Sequence, residues 1–98
     1  MIFIYTTFPN KKVAKKVVDV LLKEKLIGCA NFFNIESIYW WKEKIERTKE
    51  VSVILKVARA KKQLVKKRLK ELHPCSVPCI CEIKVNANKE FLNWLKNI

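Results

Sequence analysis

The chain has 98 residues, half of them hydrophobic, and 21 Lys and Arg against 9 Asp and Glu give it a formal net charge of +12. This length fits one domain with one core, and the hydrophobic fraction excludes an intrinsically disordered chain. No apolar run approaches the roughly 20 residues that span a bilayer, and residues 1–5 lack the basic start of a signal peptide. We therefore expect a cytoplasmic protein whose four cysteines are thiols or metal ligands rather than disulfides.

The first half of the chain alternates strand and helix patterns. Residues 2–7 are apolar and β-branched, as is typical of a strand, and Asn10 is placed to cap a helix. An apolar stripe at helical spacing predicts an amphipathic helix over residues 11–26. Gly28 would end this helix, because glycine adopts a positive φ without penalty. The aromatic and β-branched content of residues 29–41 predicts a long strand.

The second half repeats that order. A hairpin turn is expected within residues 42–49, and residues 51–58 alternate as in a strand with one apolar face. A second apolar stripe predicts a helix over residues 60–72, which ends at His73 because the residue before a proline leaves the α region. A last strand places four side chains on one face: Cys79, Cys81, Ile83 and Val85. Residues 90–95 have the pattern of a short terminal helix.

The element order is therefore β-α-β-β-α-β with an added helix. Two helices after alternate strands can cover one face of a four-stranded antiparallel sheet, so we predict an α+β, ferredoxin-like sandwich forming a single domain over residues 1–98. The second and third strands carry apolar residues on both sides, which indicates that both faces of the sheet are buried. A homo-oligomer that packs sheet on sheet is the simplest way to bury the second face.

Three consecutive aromatic residues, Tyr39, Trp40 and Trp41, precede the charged turn. Adjacent strand residues point to opposite faces, so Tyr39 and Trp41 share one side and Trp40 takes the other. A hairpin tip cannot bury both of its sides by itself, and aromatic residues are enriched at interface cores. We expect these rings to lie in an interface with another subunit; alternatively, one ring fills a local core and the others lie on the surface.

Most of the basic residues are lysines on the predicted helices. A large positive charge attracts polyanions, but lysines opposite an apolar stripe usually form a solvated helix face. The chain has only three arginines, the residue type best suited to phosphate and base recognition. The composition thus argues against a nucleic acid partner.

Several short segments carry a family resemblance when taken in order. They are Thr7-Phe8-Pro9-Asn10, Leu26-Ile27-Gly28-Cys29-Ala30-Asn31, Ser37-Ile38-Tyr39-Trp40-Trp41, His73-Pro74, Val77-Pro78 and Phe91-Leu92-Asn93-Trp94-Leu95. In this order and spacing they resemble the CutA family of divalent-cation tolerance proteins. The resemblance implies a ferredoxin-like subunit, a homotrimer whose long strands extend into sheets between subunits, and kinship in fold with PII-like signalling trimers. It also implies a link to tolerance of copper and other divalent metals.

Soft metal ligands cluster in the pattern His73-x-Cys75-x3-Cys79-x-Cys81, and thiolate and imidazole suit Cu(I) or Zn. The family usually has Tyr and Glu where this chain has Cys75 and Cys79, and one family copper site uses a cysteine at the position matching Thr6. We predict that His73, Cys75 and Cys79 bind copper or another divalent metal ion. Cys79 and Cys81 project from the same strand face, at a spacing that lets both reach one ion. Alternatively, these cysteines only pack as small hydrophobes.

Catalysis has little support, because one histidine and no paired carboxylates leave no acid–base or nucleophile constellation. No organic cofactor is implied, and Cys29 is expected in the core. The leading hypothesis is a cytoplasmic homotrimer that binds or buffers metal ions. The alternative is a PII-like signalling or scaffold module that binds a small metabolite or a protein partner in intersubunit clefts, lined by Tyr39, Glu50 and Lys56.

Overall fold

The computed structural model describes every residue from Met1 to Ile98. The elements are β1 (Ile2–Phe8), α1 (Lys11–Lys23), β2 (Cys29–Trp41), β3 (Lys44–Val57), a 3-10 turn (Arg59–Lys61), α2 (Lys62–Leu72), β4 (Ile80–Lys84) and α3 (Lys89–Lys96). The α+β order β-α-β-β-α-β with a terminal helix is therefore confirmed.

The four strands form one sheet in the order β2-β3-β1-β4, and every neighbouring pair is antiparallel. β1 pairs with β3 only as far as the partners Phe8 and Val51, whereas β2 and β3 continue to Trp41 and Lys44. Residues 35–50 therefore extend beyond the rest of the sheet as a two-stranded hairpin, which we call the arm. The arm makes the subunit elongated, with extents of 45 × 23 × 21 Å.

Helices α1 and α2 cover one face of the sheet. Alternate residues of β1 point toward them, with Ile4 and Phe8 fully buried, and Leu21 of α1 and Leu69 of α2 are equally inaccessible. Asn10 caps α1 as predicted, since its side-chain oxygen accepts a 2.9 Å hydrogen bond from the Val13 N–H. Burial of each such aliphatic side chain contributes about 1.5–3 kcal/mol, so this layer carries most of the stability of the single subunit.

The opposite sheet face is not covered by α1 or α2, and we call it the open face. The strand register places the following residues on it: Phe3, Tyr5 and Thr7 of β1, Phe33, Ile35, Tyr39 and Trp41 of β2, Glu50, Ser52 and Ile54 of β3, and Cys81 and Ile83 of β4. Phe33 and Ile83 leave nearly half of their side-chain surface exposed. The prediction that apolar residues occupy both sides of the second and third strands holds for β2 and β3.

The end of α1 differs from the prediction. The helix stops at Lys23, and the residue with positive φ is Lys25 (φ 57°) rather than Gly28. The N–H of Leu26 donates to the carbonyl of Leu21, which is the wider hydrogen bond of a Schellman motif. Lys61 supports this turn by donating from Nζ to the carbonyl oxygen of Lys25 at 2.7 Å.

Gly28 has a different function in the fold. A Cβ added at Gly28 would lie 2.5 Å from Leu95 Cδ1 and 3.2 Å from the ring of Trp94. The absence of a side chain at this position thus lets α3 pack closely against the start of β2. The prediction that position 28 requires glycine therefore holds, but the reason is close packing against α3 and not a positive φ.

The hairpin turn is also shorter than the predicted region of residues 42–49. Only Lys42 and Glu43 lie outside the strands, and their φ values of 48° and 66° match the positive φ pair of a type I′ turn. This turn type fits the right-handed twist of a hairpin, so pairing continues to the tip without a Gly or Asn at the turn.

Candidate functional site

A groove of about 790 Å³ lies on the open face. Its walls come from β1, from the arm, and from the loop between α2 and β4. Tyr5, Tyr39, Glu50, Cys75 and Cys79 are among the residues that line it. The groove thus contains two of the predicted metal ligands and part of the aromatic cluster.

His73 lies at the end of α2 and makes three contacts with its ring. The ring stacks on Phe8 with centroids 4.5 Å apart. Nε2 lies 2.8 Å from the carbonyl oxygen of Thr7, and Nδ1 accepts a 3.2 Å hydrogen bond from the N–H of Cys75. Because a carbonyl can only accept, Nε2 carries the proton and the ring is neutral. Both ring nitrogens are therefore engaged with the backbone.

The electrostatics of His73 agree with this geometry. Burial lowers the pKa of the imidazole below its usual value, and the hydrogen bond to Thr7 opposes that effect only in part. A neutral ring is the form that can both donate to Thr7 and accept from Cys75. His73 thus fastens the loop after α2 to the end of β1.

Cys79 and Cys81 form a close pair of thiols at the edge of the sheet, with their sulfur atoms 3.6 Å apart. Burial raises the pKa of Cys79 to about 11, and the adjacent Cys81 and the charge of Glu50 add to the increase. Burial and Glu50 also raise the pKa of Cys75. At neutral pH Cys75 and Cys79 are therefore thiols, and a bound metal ion would have to displace their protons.

The structure does not gather His73, Cys75 and Cys79 into one ligand set. No group of three or more His, Cys, Asp or Glu side chains has an arrangement that could hold a metal ion. Coordination by His73 would require its ring to give up one of two hydrogen bonds, so the metal role of these three residues stays a prediction. The closest soft donors are Cys79 and Cys81, which the two-residue spacing on one strand face had already indicated.

Cys29 does not lie where it was expected. It is half-buried at the start of β2, paired with Lys56 on the open-face side, and is not part of the core beneath the helices. The apolar neighbours of Cys29 predicted burial, but alternation along the strand turns its side chain away from α1 and α2. Lys56 itself lies over the ring of Phe91 at 5.4 Å and does not line the groove.

The arm exposes apolar side chains on both of its sides. On one side, Ile38 is 65% and Trp40 71% exposed, and Ile45 lies opposite Trp40 in the hairpin. On the other side, Tyr39 and Trp41 are about 40% exposed. This is the division of the three aromatic rings that the strand alternation predicted. Whether they contact another subunit stays a prediction.

Three basic residues of α2 have partners within the subunit. Lys62 and Lys66 of α2 form ion pairs of 3.1 and 3.0 Å with Glu82 of β4, and Arg68 pairs with Glu24 at 2.9 Å. These contacts fasten α2 to the sheet edge and to the end of α1. None of the helices is long and apolar enough to span a membrane.

Comparison with known proteins gives one consistent result. The profile of the family described as CutA1 divalent ion tolerance protein matches residues 2–98. The divalent-cation tolerance protein CutA of Pyrococcus horikoshii is 50% identical over 96 residues, covering 97% of this chain and 94% of that protein. The protein of the same name from Thermotoga maritima is 41% identical over 97 residues, covering 98% and 96%.

Solved structures agree with the sequence relatives. The crystal structure of CutA1 from Pyrococcus horikoshii superposes with a TM-score of 0.96 at 48% identity, covering 99% of this chain and 96% of that one. A CutA from Archaeoglobus fulgidus, described as periplasmic, has a TM-score of 0.93 at 38% identity, with coverage of 99% and 97%. A protein described as PII-like CutA from Nostoc sp. also reaches 0.93, at 27% identity and with coverage of 99% and 95%.

Proposed function

Because the chain belongs to the CutA1 divalent ion tolerance family, we propose that it is a cytoplasmic homotrimer that binds or buffers metal ions, copper among them. The trimer is the assembly that the family resemblance implies. The cytoplasmic location is supported by four free cysteines, since a reducing compartment keeps thiols unpaired.

One observation carries the assembly: the apolar surface of the open face and the arm is too extensive for an isolated subunit. Trp40 is 71%, Ile38 65% and Ile45 53% exposed on one side of the arm alone. Monomers rarely expose contiguous apolar patches of more than a few hundred Å². The sheet also ends in two unpaired edge strands, β2 and β4, which can accept strands from other subunits.

Metal binding is supported by the thiols of the loop and of β4. Cys75 and Cys79 line the groove, and the sulfur atom of Cys81 lies 3.6 Å from the sulfur atom of Cys79. Thiolates favour Cu(I) and Zn over hard cations. These donors lie beside the arm, so the proposed metal site and the proposed subunit interface are neighbours.

Light scattering and anaerobic titration calorimetry test the proposal on the wild-type chain and on His73→Ala. We expect a particle of three times the 11.6 kDa of one chain, and heat of binding with Cu(I) and Zn(II). A monodisperse monomer at micromolar concentration would contradict the assembly, and no heat with either ion would contradict the metal function. Reduced binding by His73→Ala would support the family-derived ligand set.

A second candidate is a PII-like module that binds a small metabolite. It is favoured by the groove of about 790 Å³ and by the likeness to the PII-like protein from Nostoc sp.. Tyr39 and Glu50 line this groove, whereas Lys56 lies elsewhere. A metabolite that raises the unfolding temperature of the metal-free wild type, and fails to do so in Tyr39→Ala, would favour this function.

A further inference from the structure

We propose that Cys79 and Cys81 form a two-thiolate chelate for a soft metal ion such as Cu(I) or Zn(II), and that His73 is not a ligand. This inference rests on the proposed metal function and names its donors and its class of metal. It differs from the set predicted from the sequence, His73, Cys75 and Cys79, because it keeps Cys79, adds Cys81 and omits the other two.

The distance between the sulfur atoms is the main argument. Two thiolates that bind one Zn(II) ion at about 2.3 Å, with a near-tetrahedral angle between them, lie about 3.8 Å apart. The observed separation of Cys79 Sγ and Cys81 Sγ is 3.6 Å. The two donors are thus already spaced as they would be around a bound ion, without a change of backbone.

The sheet holds the backbone of Cys81, and of Ile80 next to Cys79, in place. Cys81 pairs with Tyr5 and Ile80 pairs with Thr6 in the antiparallel ladder between β4 and β1. Cys79 is fixed on one side by this ladder and on the other by Pro78, whose ring restricts the backbone. Donors carried on a rigid element lose little freedom on binding, which favours affinity.

The surroundings favour a soft ion over a hard one. Cys75 is the only other soft donor that lines the groove, but it is not gathered with Cys79 and Cys81 into a three-ligand set. Only two carboxylates, Glu36 and Glu50, line the groove. Hard cations such as Mg²⁺ and Ca²⁺ need several oxygen ligands, which this site does not gather.

His73 lies outside this chelate. Its ring accepts from the N–H of Cys75 and contacts the Thr7 carbonyl, so both nitrogens are used. These bonds fasten the start of the loop, whereas the ladder with β1 holds the backbone next to Cys79 and at Cys81. A replacement that keeps the stacking on Phe8 but has no nitrogen, His73→Phe, should therefore retain Cu(I) binding.

The test is anaerobic competition for Cu(I) between the protein and a chromophoric chelator. The variants are Cys79→Ser, Cys81→Ser, the double variant and His73→Phe, with Cys29→Ser as the matched control away from the site. Loss of an outer-shell partner alone costs 10–100-fold in metal affinity, so each serine at a donor should cost at least about 100-fold. Cys29→Ser and His73→Phe should bind as wild type, and X-ray absorption should show sulfur neighbours only.

The outcomes separate this inference from the proposed function. Wild-type binding of Cu(I) that is unchanged in the double variant, or lost in Cys79→Ser but not in Cys81→Ser, would overturn the chelate and leave the metal function standing. A nitrogen neighbour that disappears in His73→Phe would do the same. A wild-type trimer that binds neither Cu(I) nor Zn(II) would overturn both. Light scattering on each variant confirms that serine has left the assembly intact.

Discussion

His73 was predicted to bind a metal ion, but both of its ring nitrogens contact the backbone of the protein. A lone histidine beside three cysteines suggested a metal ligand. In the structure its ring stacks on Phe8 and bonds to the backbone at Thr7 and Cys75. The loop after α2 and the end of β1, two segments that are distant in sequence, therefore meet at one side chain, and the neutral ring is the form that satisfies both backbone contacts.

The lowered pKa of His73 predicts a loss of stability on mild acidification. The unfolded chain takes up a proton near pH 6.5, while burial keeps the folded ring neutral to lower pH. The stabilising contribution is thus complete above the unfolded pKa and is lost as the pH falls below it. The midpoint of guanidinium unfolding, compared at about pH 7.5 and 5.5, should decrease more for wild type than for His73→Phe.

The pH range from about 7.5 to 5.5 is chosen to isolate the titration of His73. Hydrogen bonds from Arg68 to Glu24 and from Lys66 and Lys62 to Glu82 lower the pKa values of those carboxyl groups, so they titrate below it. Their effect is also common to both variants. Equal decreases in wild type and His73→Phe would show that His73 carries no pH-dependent stability.

At the scale of the elements, the β2–β3 hairpin contains a local strain. Its tip residues Lys42 and Glu43 both have positive φ, which is unfavourable for residues with a Cβ. Lys42 gains from its position 5.8 Å over the ring of Trp41. Glu43 makes no hydrogen bond or ion pair that would offset its strain.

Glu43→Gly should therefore stabilise the protein. Glycine at the second position of a type I′ turn removes the steric cost of positive φ, a gain on the order of 1 kcal/mol in the free energy of unfolding. Guanidinium unfolding at fixed protein concentration measures it. Glu46→Gly is the matched control, because the same change inside β3 should destabilise; a gain in both variants, or in neither, would contradict the argument.

At the scale of the whole molecule, the arm is the surface through which we expect subunits to meet. It extends past β1, so its two sides have no covering layer within the chain. In a trimer, three interfaces that each cover the sides of an arm would together bury more than the roughly 2,000 Å² of standard complexes. The assembly is then a condition for stability as well as for function.

Removal of the arm's tryptophans should therefore abolish the trimer. Trp40→Ser with Trp41→Ser should give a monomer, an aggregate or no soluble protein in light scattering, since the largest apolar side chains of the interface are lost. Leu64→Ser is the control, because Leu64 is 58% exposed on α2, away from the arm. A double variant that keeps the wild-type mass would place the interface elsewhere.

The sequence by itself was sufficient to predict the elements, their order, the fold and the family. Periodicity reports which side of an element is apolar, and this is a local property of the chain. It separated Trp40 from Tyr39 and Trp41, placed Cys79 and Cys81 on one strand face, and marked Asn10 as a cap. The structure agrees at each of these positions.

Only the tertiary structure decided which distant groups meet. That Gly28 admits Leu95 and that the ring of His73 stacks on Phe8 and reaches Thr7 depend on packing. No local pattern encodes these contacts, because they join segments from different parts of the chain. The two-residue turn at Lys42 and Glu43 follows from the register of β2 against β3, which composition alone did not give. The separation of 3.6 Å between two sulfur atoms likewise needed coordinates, since strand spacing fixes the face of a side chain and not its rotamer.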